Sequence, residues 1–356
     1  MNYELPPLGL TTPLDWPRQR QAWIALAEEH MYGHAPLDHA VSGEATSSET
    51  IWDGGGVRET ALIHYGPGLA YSFEAVIHRP AIEGRRPAIT WNQFRPTDAC
   101  PVLREIVADR GYIVAAFDKT QLTHDNNDGQ PGRVDAREAY PDYDWGAIRI
   151  WAWGHSKLAD YLLTRPDVDG GKLAATGHSR GGKAALAAAI FDERFAVCCS
   201  NNSGAGGCGC FRYLGDANGL SQDIVTVESL GRVSSAFPHW WGPGLKAFEG
   251  EETPDAMGGE DKLPFDLHTL KALIAPRSLM SCEGLEDSWA NPFGTWLTWK
   301  AAQPAFDTLG GRNDVFYRPG GHGFGETDWL AVADFCDEVF YGKQTGRAWN
   351  AQSFSE

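Results

Sequence analysis

The chain has 356 residues, 42% of them hydrophobic and 22% charged, which is enough apolar material for one large α/β core. Its 47 acidic residues outweigh 30 basic ones and leave a net charge of -17. Such a surface repels nucleic-acid phosphates and anionic lipid, so neither nucleic acid nor membrane is an expected partner.

Met1 to Pro17 has no basic stretch followed by an apolar one, so no secretory signal is read there and a cytoplasmic location is expected. Residues 12–35 read as helical around Trp23 to Glu29, inside a peripheral N-terminal segment, 1–70. Strand-like runs begin at Ser72 to His78, which alternates, and at Pro87 to Asn92, which is short, apolar and bounded by turns. Ala99 to Arg110 reads as a helix ended by Gly111. Tyr112 to Phe117 is a continuous apolar run, the pattern of a strand buried on both faces. Residues 118–143, rich in Asp, Asn and Gly, suggest a surface insertion.

Trp145 to Leu163 has helical periodicity and stops before Pro166. A strand, Lys172 to Gly177, a helix of small residues, Gly181 to Phe191, and a strand, Phe195 to Ser200, follow. Residues 203–264 form a long irregular stretch, expected as a lid or insertion. Then come a helix from Leu267 to Ile274, a strand from Arg277 to Cys282 and a helix from Pro292 to Leu309. A strand from Asp314 to Tyr317 and a last helix from Glu326 complete the pattern. Alternating strands and helices predict a single α/β domain, a three-layer α/β/α sandwich with a mostly parallel sheet and inserted loops. Cys100, Cys198, Cys199, Cys208, Cys210, Cys282 and Cys336 form no CxxC pair, so reduced core thiols are expected. Cys208-x-Cys210 has no partnered pair at ligand-like spacing, so no metal is expected.

Gly177-His178-Ser179-Arg180-Gly181 stands between an apolar strand and an Ala-rich helix. That is the context of a nucleophile elbow, where flanking glycines allow a sharp turn that pushes a serine hydroxyl outward. Ser179 is therefore the candidate nucleophile. The backbone N–H of Arg180, at a helix N-terminus, would receive an oxyanion. Topology puts a second donor near Gln93 and Phe94. His322, between glycines after the last strand, is the candidate base. His178, next to the serine, points elsewhere on such a turn and is expected to pack or to touch substrate. The acid should follow the strand ending at Cys282: Asp287 fits best, Glu286 second and Glu283 third. The order Ser, Asp, His is the one this fold uses. The reaction needs neither metal nor cofactor: His322 takes the Ser179 proton, an acyl-enzyme forms, and water releases the acid.

Several separated blocks resemble the glucuronoyl esterases, carbohydrate esterase family fifteen, of the α/β-hydrolase superfamily. They are Trp151 to Gly154, Gly177 to Lys183, Ser203 to Gly207, Ala236 to Trp240, Leu263 to Asp266, Leu273 to Arg277 and Glu286 to Trp289. The resemblance implies cleavage of esters of glucuronate or related uronates. It also implies that Arg180 adds its guanidinium to the oxyanion site, that Lys183 and Glu228 bond sugar hydroxyls, and that Trp289 packs on the sugar ring. Two positions depart from the family. Asn202 stands where many members carry the triad Glu, so either Asp287 supplies the acid or the enzyme is weak; the former is the expectation. His178 replaces a small residue or Cys. The family's polymeric esters are extracellular, so a cytosolic enzyme would act on small imported uronate esters. The alternatives are a carbohydrate acetyl esterase, with the same triad but acetate as product, and a noncatalytic carbohydrate-binding relative using some of the 14 tryptophans.

Overall fold

The computed structural model describes residues 4–10, 12–92, 102–125, 135–215, 227–248, 259–352 and 354. Among them nine strands join one sheet: β1 (Ser42–Ile51), β2 (Gly56–Tyr65), β3 (Tyr71–Pro80), β4 (Arg86–Trp91), β5 (Ile113–Phe117), β6 (Val168–His178), β7 (Phe195–Asn201), β8 (Ser278–Gly284) and β9 (Arg312–Arg318). The spatial order is β1-β2-β3-β5-β4-β6-β7-β8-β9. From β5 to β9 every neighbouring pair is parallel; β1, β2 and β3 pair antiparallel, as do β3 and β5.

The parallel strands are apolar on both faces because helices cover both. On one face Ala88, Ile113, Ala115, Leu173, Ala175 and Leu279 share a core with α1 (Trp16–Ala27), α2 (Ala136–Ala139), α3 (Ala147–Leu162) and α4 (Arg180–Phe191). Buried alanines at 184, 185, 187, 188 and 189 give α4 a narrow profile, which lets it lie close to both the sheet and α3. A short helix, α5 (Leu230–Ala236), and α6 (Leu267–Ala272) close this side, with α7 (Pro292–Leu309) beside α6. On the opposite face Ile89, Val114, Ala174, Val197 and Met280 pack against Trp329, Val332 and Phe335 of α8 (Glu326–Tyr341). Adjacent residues of one strand serve opposite cores, as a two-residue repeat requires. This is the expected α/β/α sandwich.

Three expectations need correction. The segment 1–70 is peripheral only as far as α1: residues 42–65 form a hairpin, β1 and β2, that extends the sheet. β2 alternates buried Glu59, Ala61, Ile63 and Tyr65 with less buried positions, whereas β1 is exposed along nearly all its length, so its polar sequence carries no apolar period to announce a strand. Residues 118–125 are not a surface insertion, because Lys119, Leu122, Thr123 and Asp125 are buried. The described part of 203–264 is neither irregular throughout nor a loose flap. Ser203 to Leu214 is buried, α5 lies within the stretch, and Trp240 and Trp241 enter the core. The six described cysteines are free and buried; Cys100 lies outside the described residues. No described helix is long and apolar enough to cross a membrane.

Candidate active site

Parallel strands put their C-terminal ends, and the loops that follow, at one edge of the sheet. β6 delivers Ser179, β7 delivers Asn202, the loop between β8 and α7 carries Asp287, and the loop between β9 and α8 carries His322. Ser179 has φ 57 and ψ -126, a conformation that costs a non-glycine residue about 1–3 kcal/mol and is held only by its surroundings. Its N–H donates to the Asn201 carbonyl at 2.9 Å, and its carbonyl accepts from Lys183 N–H at 3.1 Å. Gly177 has no room for a Cβ, which would meet the Gly181 backbone and lie 2.6 Å from Asn92 Oδ1. The turn is thus as tight as the Gly-x-Ser-x-Gly pattern predicts.

Asp287 and His322 come together. His322 Nδ1 lies 2.7 Å from Asp287 Oδ2; the aspartate is 4% exposed. Burial works against its charge, but bonds from His322, from Asn202 Nδ2 at 2.6 Å and from Ala290 N–H at 3.3 Å hold the carboxyl below the ordinary range. Glu286, the second candidate acid, is exposed and makes no bond to His322. Glu283, the third, is fully buried and accepts from Thr295 Oγ1 at 2.9 Å. Burial and the neighbouring Asp287 charge push its pKa up to about 8, so it is a neutral acid at pH 7. Among the described residues the Ser179 hydroxyl has no hydrogen-bond partner, His322 included.

Asn202 occupies a left-handed conformation, φ 43. Its amide joins a longer run of polar contacts: its Oδ1 accepts from Arg318 Nη2 at 3.4 Å, Arg318 Nε donates to Asp328 Oδ1 at 2.7 Å, and Asp328 Oδ1 accepts from Asn201 Nδ2 at 2.8 Å. Asn201 Oδ1 in turn contacts His178 Nδ1 at 2.6 Å. The His178 ring packs 4.4 Å from that of His322 and is parallel to that of Phe324. Burial and the neighbouring His322 lower the His178 pKa to about 4, so this second imidazole is neutral beside the first.

Lys183 and Glu228, expected to meet a sugar, pair with one another at 2.7 Å, and Lys183 also donates to the Ser203 carbonyl at 2.6 Å. Burial pushes Glu228 up and Lys183 down in pKa, each shift opposed by the partner's charge. Gly204, at φ +53, makes room for this pair, since a Cβ there would strike Glu228 Oε2. Trp289 is exposed, and its carbonyl accepts the Glu228 N–H at 2.9 Å. Arg180 donates to Asp125 Oδ1 at 3.1 Å and lies over the rings of Trp240 and Phe237. The sequence reading missed Asp125, which stands in the polar stretch read as a surface insertion. Gln93 and Phe94, the expected second oxyanion donors, lie outside the described residues.

The family model for glucuronyl esterase of fungi matches residues 67–310. Carbohydrate esterase MZ0003 from an unknown prokaryotic organism is 34% identical over 215 residues, which are 56% of this chain and 45% of that protein. This chain therefore spans less than half of that relative's length. The 4-O-methyl-glucuronoyl methylesterase 1 of Wolfiporia cocos is 28% identical over 345 residues, 94% of this chain and 76% of its own. Among solved structures, a promiscuous CE15 esterase from a marine bacterial metagenome matches with a TM-score of 0.81 at 26% identity, over 95% of this chain and 98% of that one. Nothing in these comparisons supports the cytoplasmic location expected from the N-terminal segment. An elbow serine, an aspartate–imidazole pair at the same sheet edge and a family match running through the elbow and the acid loop agree: the chain belongs to the glucuronoyl esterases, carbohydrate esterase family fifteen, of α/β-hydrolase fold.

Proposed function

We propose that the protein hydrolyses esters of glucuronate or related uronates through an acyl-enzyme on Ser179, with His322 as general base and Asp287 as its carboxylate partner. The observation that carries this reading is the 2.7 Å contact between buried Asp287 and His322 Nδ1, on the sheet edge where the elbow presents Ser179. An ionised carboxylate accepts a hydrogen bond, so Nδ1 carries the proton and Nε2 keeps its lone pair for the serine. The serine–imidazole bond forms as the ester binds, a tightening common at such sites. Oxygen attack then moves the proton to Nε2, and the developing oxyanion meets the Arg180 N–H at the start of α4 and the guanidinium beside it. His322 returns the proton to the departing alcohol, water repeats the sequence, and the uronate leaves.

The buried Lys183–Glu228 pair supplies both a donor and an acceptor for sugar hydroxyls, and the exposed Trp289 ring supplies an apolar face for the pyranose. Neutral His178 narrows the space next to the base. The test compares release of acid from benzyl or methyl glucuronate with release of acetate from an acetylated xylo-oligosaccharide. Uronate release, lost in Ser179→Ala together with fluorophosphonate labelling, is the expected result. Acetate release alone would make the protein an acetyl esterase. A wild type that takes no label would make it a carbohydrate-binding relative.

A further inference from the structure

Arg180 is the first residue of α4, and a guanidinium on a long flexible stem contributes to a reaction only when something holds it in place. Asp125 and an aromatic pair do so. Asp125 is 5% exposed. Its Oδ1 accepts from Arg180 Nη1 at 3.1 Å, and its Oδ2 lies 3.3 Å from the ammonium of buried Lys119. Its backbone carbonyl is itself fixed, being 2.8 Å from His239 Nε2 and accepting from Trp240 Nε1 at 3.3 Å. The guanidinium carbon of Arg180 sits 4.9 Å from the Trp240 ring centre and 5.2 Å from that of Phe237. Those two rings are stacked 3.9 Å apart with an interplanar angle of 7°. The other N–H groups of Arg180 have no partner among the described residues, and its side chain is 28% exposed.

We propose that Asp125 is a positioning residue for the reaction: it fixes the guanidinium of Arg180 next to Ser179 so that the uncommitted N–H groups meet the developing oxyanion. The proposal rests on the reading of Arg180 given under Proposed function. Charge supports it as well as geometry. A lone carboxylate beside Arg180 would cancel the field offered to an oxyanion. Lys119 on the second oxygen leaves the group of three with one net positive charge. The aromatic pair adds a planar bed that a guanidinium, unlike an ammonium, can use.

The test is a double-mutant cycle on the full chain with methyl glucuronate as substrate, read as kcat and KM separately. Asp125→Ala is expected to lower kcat about ten- to hundredfold, the usual cost of losing a charge-assisted bond, with KM within about twofold. Asp125→Asn, which keeps an acceptor but loses the charge, should fall between Ala and wild type. In an Arg180→Ala background Asp125→Ala should add little, because its effect passes through Arg180. An equal factor in both backgrounds, or an unchanged kcat in the single variant, overturns the proposal. If the Ala variant does not fold, the Asn variant completes the same cycle. Fluorophosphonate labelling separates the two levels of the argument. An unlabelled wild type defeats the serine reading and this proposal together, whereas a labelled wild type with no effect of Asp125 defeats this proposal alone.

Discussion

Replacing Asp287 by Asn changes one oxygen to an amide nitrogen and removes one charge, with almost no change in volume. The consequence follows from the contacts. The carboxylate holds His322 Nδ1 at 2.7 Å and is nearly buried, whereas the imidazole side chain is 40% exposed, so the pair attracts at a dielectric between those of the dry interior and water. With charge centres about 4 Å apart and an effective dielectric of about 20, the lost attraction is about 4 kcal/mol. At about 1.4 kcal/mol per decade this is a fall of about three orders of magnitude in kcat. KM should change little, because the imidazolium exists only on the way through the reaction. Initial rates of benzyl glucuronate hydrolysis at pH 7, with thermal unfolding to confirm folding, provide the measurement. Asn202→Ala is the control: it removes the 2.6 Å donor to Asp287 but no charge, and should cost less than about tenfold. A Asp287→Asn enzyme within about threefold of wild type would refute the reasoning, and equal losses at both positions would refute the choice of acid.

Removing one member of the Lys183–Glu228 pair leaves the other buried and uncompensated. Lys183→Met or Glu228→Met should each lower stability by about 3–5 kcal/mol, while the double Met variant regains most of that loss; denaturant midpoints decide it, and additive losses would contradict it. Glu283 gives a pH signature. Its folded-state pKa of about 8 lies above the ordinary 4.5, so the folded protein keeps a proton that the unfolded chain releases, and stability falls as pH rises through that interval. Glu283→Gln has nothing to titrate, so its midpoint should gain on wild type between about pH 4.5 and about pH 8; a gap independent of pH would mean that the carboxyl ionises normally. Asp287 has the opposite sign. Its depressed pKa stabilises the fold above the ordinary carboxylate range, and the advantage of wild type over Asp287→Asn should shrink as pH falls below that range, through the depressed folded-state value.

What could be read along the chain was whatever has a local period or a local pattern. Pro292 to Leu309 is helical over those very residues, and β5 and the elbow follow from apolar runs and paired glycines. The preference for Asp287 was legible because the only acids at or just past the end of β8 are Glu283, Glu286 and Asp287, and of these it is Asp287 that contacts His322 in the fold. Asp125 was not legible. Its two cationic partners stand 6 residues before it and 55 after it, and a carboxylate in a polar stretch reads as solvated until folding hides it. The Lys183–Glu228 pair shows the same limit: each side chain suggested a hydroxyl contact, but neither sequence position reports that the partner's charge is 2.7 Å away. β1 failed for another reason, since an edge strand exposed on both faces obeys no hydrophobic alternation.

Asp328 belongs to α8, yet through Arg318 and Asn202 it reaches the carboxylate that contacts His322. The last helix of the chain is therefore more than cladding for the sheet. On the reading proposed above, a disturbance that slides it would reach the base through Asn202 and the elbow serine through Asn201, whose side chain bonds Asp328 and whose carbonyl accepts the Ser179 N–H. Thermal inactivation should accordingly outrun loss of the core, with turnover fading before the sheet unfolds.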